Sequence, residues 1–143
     1  MALSGEKMNS VLIVSASERA RTSIAGVLSP TRYSPVITRG SASEVRRLVL
    51  DSPFSLVFIN TPLPDEFGSQ LALDLASNRL CCVALIVANE SYEQVSDEVE
   101  DSGVITLSKP CSAQTIRQAA TLMGATRSKL AVMEKKTATL EEK

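Results

Sequence analysis

The chain has 143 residues, 44% of them apolar and 22% charged, and a net charge of −1; this is the composition of one globular domain, able to bury about 68–70% of its unfolded surface, with no general attraction for nucleic acid or anionic membranes. It has no histidine, which excludes Ser-His-Asp and Cys-His catalysis, His-ligated zinc and an imidazole base. Its cysteines, Cys81, Cys82 and Cys111, lack metal-ligand spacing and read as reduced thiols of a cytoplasmic protein.

Residues 1–7 are expected as a disordered N-terminus or as residues added in cloning. The opening MALSGEKMNS has no hydrophobic signal core. No stretch supplies the roughly 18 apolar residues of a membrane helix, so no membrane partner is expected. A strand is expected at Val11–Val14, then a helix capped by Ser17 that carries Ala20, Ile24, Val27 and Leu28 on one face. A second strand at Val36–Thr38 leads to a helix opened by the Ser41–Glu44 capping box, with Val45, Leu48 and Val49 inward. A third strand, Leu56–Ile59, precedes a helix bearing Leu71 and Leu75. Strand Cys82–Val87 precedes a helix after Ser91 with Tyr92, Val95 and Val99, Tyr92 serving as a core anchor. Strand Val104–Leu107 precedes a last helix capped by Ser112.

The apolar runs are short, rich in Val and Ile, and mostly not alternating, as expected of parallel strands covered on both faces. Five such strands alternating with helices predict an α/β, flavodoxin-like (βα)5 doubly wound parallel sheet of order 2-1-3-4-5, with an extended C-terminal helix. Residues 8–123 form the expected domain.

From Ser112 to Lys143 there is no proline and one glycine. A continuous helix there would run about 48 Å, too long to pack wholly on a small domain. Heptad a positions fall on Ile116, Met123, Leu130 and Thr137, and d positions on Ala119, Thr126, Met133 and Leu140. Residues 124–143 are therefore expected to form a parallel coiled-coil stem and a homodimer. Lys129 would face Glu134 of the second copy, and Lys136 would face Glu141.

Ligands of this architecture bind beyond the carboxyl ends of the strands. The residues there are Ser15, Ala16 and Ser17; Asn60, Thr61 and Pro62; Val87 and Ala88; Ser108, Lys109 and Pro110. The segments VLIVSASERAR, LVFINTPLPDEFG and GVITLSKP resemble the receiver domain of two-component response regulators over roughly residues 8–123. In the resemblance, the family's acidic, Mg²⁺-holding pair aligns with Ser15 and Ala16, its phosphoacceptor Asp with Asn60 and its switch hydroxyl with Ala88, or one residue earlier with Val87; only its Lys-Pro is kept, at Lys109 and Pro110. The resemblance also implies a cis Lys109–Pro110 bond.

The chain departs from the pattern where the chemistry would occur. A hydroxyl, a methyl and an amide do not suit Mg²⁺, which favours hard oxygens including carboxylates. An Asn amide cannot form an acyl phosphate, and Ser15 and Thr61 have no base beside them. Asp65 and Glu66 are expected to point to solvent. Lys109 reads as a structural side chain bonded to Asn60 and strand-end carbonyls; the competing reading is a small-molecule or anion sensor at Ser15, Asn60 and Lys109. A further alternative is phosphotransfer to Ser15 or Thr61. No metal, cofactor or catalytic residue is expected.

Residues Glu90 to Asp101 hold six acids and no base and are expected to be a solvated helix face, as is the basic group Arg39, Arg46 and Arg47. Adjacent Cys81 and Cys82 should point to opposite faces of their strand. A flavodoxin phosphate loop or a dinucleotide fingerprint would need glycines after the first strand, where SASERAR has none. The tail LAVMEKKTATLEEK is similar to the stem of ANTAR-type response regulators, whose three-helix RNA-binding domain has no counterpart in these residues; nucleic acid is expected as a partner only through such a domain. The expected function is that of a non-phosphorylatable pseudo-receiver in a bacterial response-regulator-like protein. It would be a dimerising, non-enzymatic module acting on transcription through antitermination, with a protein partner at the face of helix 4, strand 5 and helix 5.

Overall fold

In the computed structural model, residues 9–78 and 81–141 are described, with side chains through Arg127. Five strands and five helices alternate: β1 Asn9–Ser15, α1 Glu18–Val27, β2 Tyr33–Arg39, α2 Ala42–Asp51, β3 Leu56–Asn60, α3 Ser69–Ala76, β4 Cys82–Val87, α4 Tyr92–Glu98, β5 Ile105–Ser108 and α5 Ala113–Glu141. All pairings are parallel and the order is β2-β1-β3-β4-β5. This is the expected flavodoxin-like topology. Residues 1–7 lie outside the described residues.

The central strands are apolar on both sides because both are covered. Leu12, Val14, Val57, Ile59, Val83, Leu85 and Val87 pack with Val45, Leu71, Ala72, Val95 and Val99 in the layer of α2, α3 and α4. Val11, Ile13, Leu56, Phe58, Ala84 and Ile86 pack with Leu28, Ile116, Ala119, Ala120 and Met123 in the layer of α1 and α5. Cys81 joins the first layer and Cys82 the second, as their alternation requires. All three cysteines are free thiols, and burial pushes that of Cys81 up to about 12.

The two halves of the α1–α5 layer are unequal. No residue of α1 is fully buried; Ile24, Ala25 and Val27 are only partly covered. α5 seats Ile116, Ala119, Ala120 and Met123 on the sheet, and burial continues to Gly124. At Gly124 an added Cβ would lie 2.9 Å from Nδ2 of Asn9, so glycine permits the close approach of α5 to the start of β1.

Local signals hold for three caps. Ser17 Oγ accepts from the Ala20 N–H, Ser41 Oγ from that of Glu44, and Ser112 Oγ from that of Thr115. The Glu44 carboxylate reaches Gly40 N–H, one residue before the position of a standard capping box. Ser91 does not cap α4: a 3-10 turn, Asn89–Ser91, precedes the helix, and Ser91 makes no capping bond. Tyr92 is 37% exposed, not a core anchor, because that turn rotates it outward while Val95 and Val99 bury.

α5 runs continuously to Glu141, consistent with a helix extending past the domain. Side chains of the proposed stem, Lys129, Leu130, Met133, Glu134, Lys136, Thr137, Leu140 and Glu141, lie outside those described.

Candidate functional site

Strands β1 and β3 end side by side, with Ser15 opposite Asn60. Asn60 Nδ2 donates to Ser15 Oγ at 3.0 Å, and the Ser17 N–H donates to the same oxygen at 3.2 Å. Ser15 is 1% exposed, whereas Ala16 faces solvent. Thr61 is also buried; its N–H and its Oγ1 both donate to the Ile86 carbonyl at 3.0 Å. The hydroxyls of Ser15 and Thr61 are thus engaged and covered.

Lys109, just beyond β5, donates its backbone N–H to the Val87 carbonyl at 2.8 Å and its Nζ to the Thr61 carbonyl. The expected bond to a strand-end carbonyl is present. The expected bond to Asn60 is not: Lys109 Nζ donates to the Thr61 carbonyl, and Asn60 Nδ2 donates to Ser15. Ala88 is half-buried and opens the 3-10 turn, while Val87 is buried within β4. Ser108 Oγ donates to Asn89 Oδ1 at 3.0 Å, tying the end of β5 to that turn. The Lys109–Pro110 peptide is cis, as are Ser34–Pro35 and Thr61–Pro62.

Arg21 is the site residue that sequence reasoning missed. Its Nη1 donates to the Ser15 carbonyl at 2.6 Å. The signal was local: side chains of an α-helix tilt toward its N-terminus, so a long cation in the first turn after Ser17 reaches back to the strand end. Arg39 behaves similarly, donating to the Thr38 carbonyl at 2.7 Å. The carboxyl end of the sheet therefore carries Arg21, Arg39 and Lys109, each bonded to a neutral carbonyl.

The neighbouring acids face elsewhere. Asp65 accepts from the N–H groups of Ala42 and Ser43 at 3.0 and 2.9 Å, capping α2, and those bonds hold its carboxyl below the usual range. Glu66 accepts from the Leu71 N–H in the first turn of α3, whose N-cap is Gly68, and pairs with Arg46 at 3.2 Å. Arg46 also pairs with Asp74 at 2.6 Å. Asp65 is exposed, as expected, yet it is engaged with the N-terminus of α2, while Glu66 and Arg46 are partly covered and paired rather than freely solvated: open helix N-termini attract the carboxylates, and Arg46 follows Glu66. The β3–α3 loop is further fixed at Gly68, where φ is +128° and an added Cβ would come within 3.2 Å of Ile59 and Thr61 methyls.

A hydroxyl already accepting two hydrogen bonds, a methyl and a donating amide, flanked by Arg21 and Lys109, form no fit for Mg²⁺. A hard dication needs anionic oxygens, and these cations oppose it. Among the described residues no group of three or more Cys, Asp or Glu side chains could hold a metal ion.

Next to Asn60 and Lys109 a cleft of about 210 Å³ opens between α1 and α5, lined by Ala20, Ile24, Ile86, Cys111 and Ile116 among others. Ser15, held behind Asn60, is not one of its lining residues. The grouping Ser15, Asn60 and Lys109 thus resolves into a buried hydroxyl and a cleft served by the other two.

No protein-family model matches the chain, and no curated protein matches it. Solved structures do. The chemotaxis response regulator CheY4 of Vibrio cholerae is 18% identical, with a TM-score of 0.71 over 82% of this chain and 99% of that one. The signal receiver domain of an HD domain-containing protein from Pseudomonas fluorescens is 16% identical, with a TM-score of 0.78 over 92% of this chain and 98% of that one. A CheY-like receiver domain from Methanospirillum hungatei is 18% identical, with a TM-score of 0.73 over 86% and 99%. At such identity the likeness establishes the fold, which is that of response-regulator receiver domains.

Proposed function

We propose that the chain is a regulatory domain of receiver fold that works without phosphorylation, a pseudo-receiver serving as a dimerisation and signalling module in a response-regulator-like protein that acts on transcription. The observation that carries this is the Ser15–Asn60 hydrogen bond between Arg21 and Lys109. At the place where a phosphorylated receiver needs carboxylates for Mg²⁺ and a nucleophile, this chain has a neutral pair closed on itself and two cations.

The same arrangement bears on signal transmission. Lys109 is already bonded to the Thr61 carbonyl, and Ala88 offers a methyl where a hydroxyl would follow a phosphoryl group. Control would instead come through what the domain binds or through association of α5. The stem would present paired output segments, of the RNA-binding kind that the tail resembles, and the face of α4, β5 and α5 would meet a protein partner.

Beryllofluoride with Mg²⁺ mimics a phosphoryl group at a receiver carboxylate. Titrated into the isotope-labelled chain, it should leave the amide signals of Ser15, Asn60, Ala88 and Lys109 unmoved. Saturable shifts at those residues would overturn the proposal.

A further inference from the structure

We infer that the cleft between α1 and α5 is a binding site for a small monocarboxylate with a short apolar tail. This goes beyond phosphorylation-independent regulation, which can hold whether or not the cleft is used.

The cleft exists because α1 covers its side of the sheet incompletely. Its inner residues Ile24 and Val27 remain half-buried, while Ile116 on α5 and Ile86 on β4 are buried behind them. These four side chains make a wall suited to hydrocarbon. Asn60 and Lys109 are the cleft's amide and its cation, and Ser23 and Cys111 add a hydroxyl and a thiol. At about 210 Å³ the space is below the roughly 300–1,000 Å³ typical of drug-sized sites, so the ligand has a handful of non-hydrogen atoms.

Charge selects the head group. An ammonium has three donors, and Lys109 directs one to a neutral carbonyl, that of Thr61. The ion pairs Arg46–Glu66 and Arg46–Asp74 do not involve Lys109, and among the described residues no carboxylate pairs with it. A carboxylate ligand would supply the missing charge and accept a charge-assisted hydrogen bond. Phosphate fits less well. The second nearby cation, Arg21, is turned to Ser15 and is not among the lining residues, so the second charge of a phosphate would meet no second cation beside the isoleucines.

The test is an NMR titration of the full chain with sodium hexanoate, with 1-hexanol and sodium phosphate as comparison ligands. Hexanoate should shift the amides of Ala20, Ile24, Lys109 and Ile116 saturably. Hexanol should bind about tenfold more weakly, as loss of one charge-assisted hydrogen bond implies, and phosphate should leave those signals in place. Lys109→Met should lose the preference for hexanoate over hexanol. Ala20→Leu, which fills the cleft from α1 without touching Lys109, should abolish binding of both. Absence of a saturable hexanoate shift, equal binding of hexanol, or phosphate matching hexanoate would each overturn the inference. None of these outcomes depends on how the chain responds to beryllofluoride.

Discussion

Asp65 and Glu66 illustrate how far a single residue's role depends on what the fold brings near it. Both stand in a polar loop, and their sequence context predicts solvent. In the folded chain each ends on the open N–H groups of a helix start, Asp65 on α2 and Glu66 on α3. The signal for Asp65 was absent from the sequence because its partners lie 22 and 23 positions away, with α2 and β3 between. Arg21 was more legible, since its reach depends only on helix geometry within six residues. The backbone bonds to Asp65 and the Arg46 bond to Asp74 hold both carboxyls below their ordinary values. Each therefore gives up its negative charge at lower pH in the folded chain than in the unfolded one. Their contribution to stability is in force above about pH 4 and is lost as pH falls through the lowered folded values. Asp65→Asn, which cannot carry that charge, should flatten part of the acid limb in a plot of urea midpoint against pH, while lowering stability at neutral pH.

At the scale of elements, the strands were legible because burial on both faces leaves an unmistakable run of Val, Leu and Ile. Strand ends were less so: β2 extends to Tyr33 and Arg39, and β5 is shifted by one residue, because polar residues at sheet edges still satisfy the ladder. α4 starts at Tyr92 as expected, but the side-chain cap expected of Ser91 is missing, since a 3-10 turn uses the same residue types as a cap. α5 shows competition between helix propensity and packing at Gly124. Alanine there gains about 1 kcal/mol of helix propensity, against an approach of 2.9 Å to the Asn9 carboxamide. That contact is the end of a flexible side chain beside an open cleft of about 280 Å³ lined by Asn9, Arg32 and Tyr33, so the amide can move aside. Gly124→Ala should raise the urea midpoint, by an amount equivalent to less than about 1 kcal/mol; a lowered midpoint would show that the close packing of α5 on β1 prevails.

For the whole molecule, topology points to the carboxyl ends of the strands, where doubly wound sheets expose functional groups. The departures from receiver chemistry were equally legible, residue by residue, at Ser15, Ala16, Asn60 and Ala88. What the sequence left out was the consequence: the neutral pair closes on itself, and the cleft that remains belongs to α1 and α5. Gly124 is the last fully buried residue of α5 among those whose side chains are described, and the helix continues to Glu141, about 25 Å further at 1.5 Å per residue. A helix of that length beyond its domain is marginal alone, and association would support it. In light scattering the full chain should have the molar mass of a dimer and a chain ending at Gly124 that of a monomer; equal association states would remove the stem from the account.

The claim that the domain signals without phosphorylation is met most directly by intact-mass spectrometry of the full chain after incubation with acetyl phosphate and Mg²⁺ at neutral pH. The account predicts the unmodified mass throughout. A stoichiometric phosphoryl adduct on any residue at the carboxyl end of the sheet would contradict it.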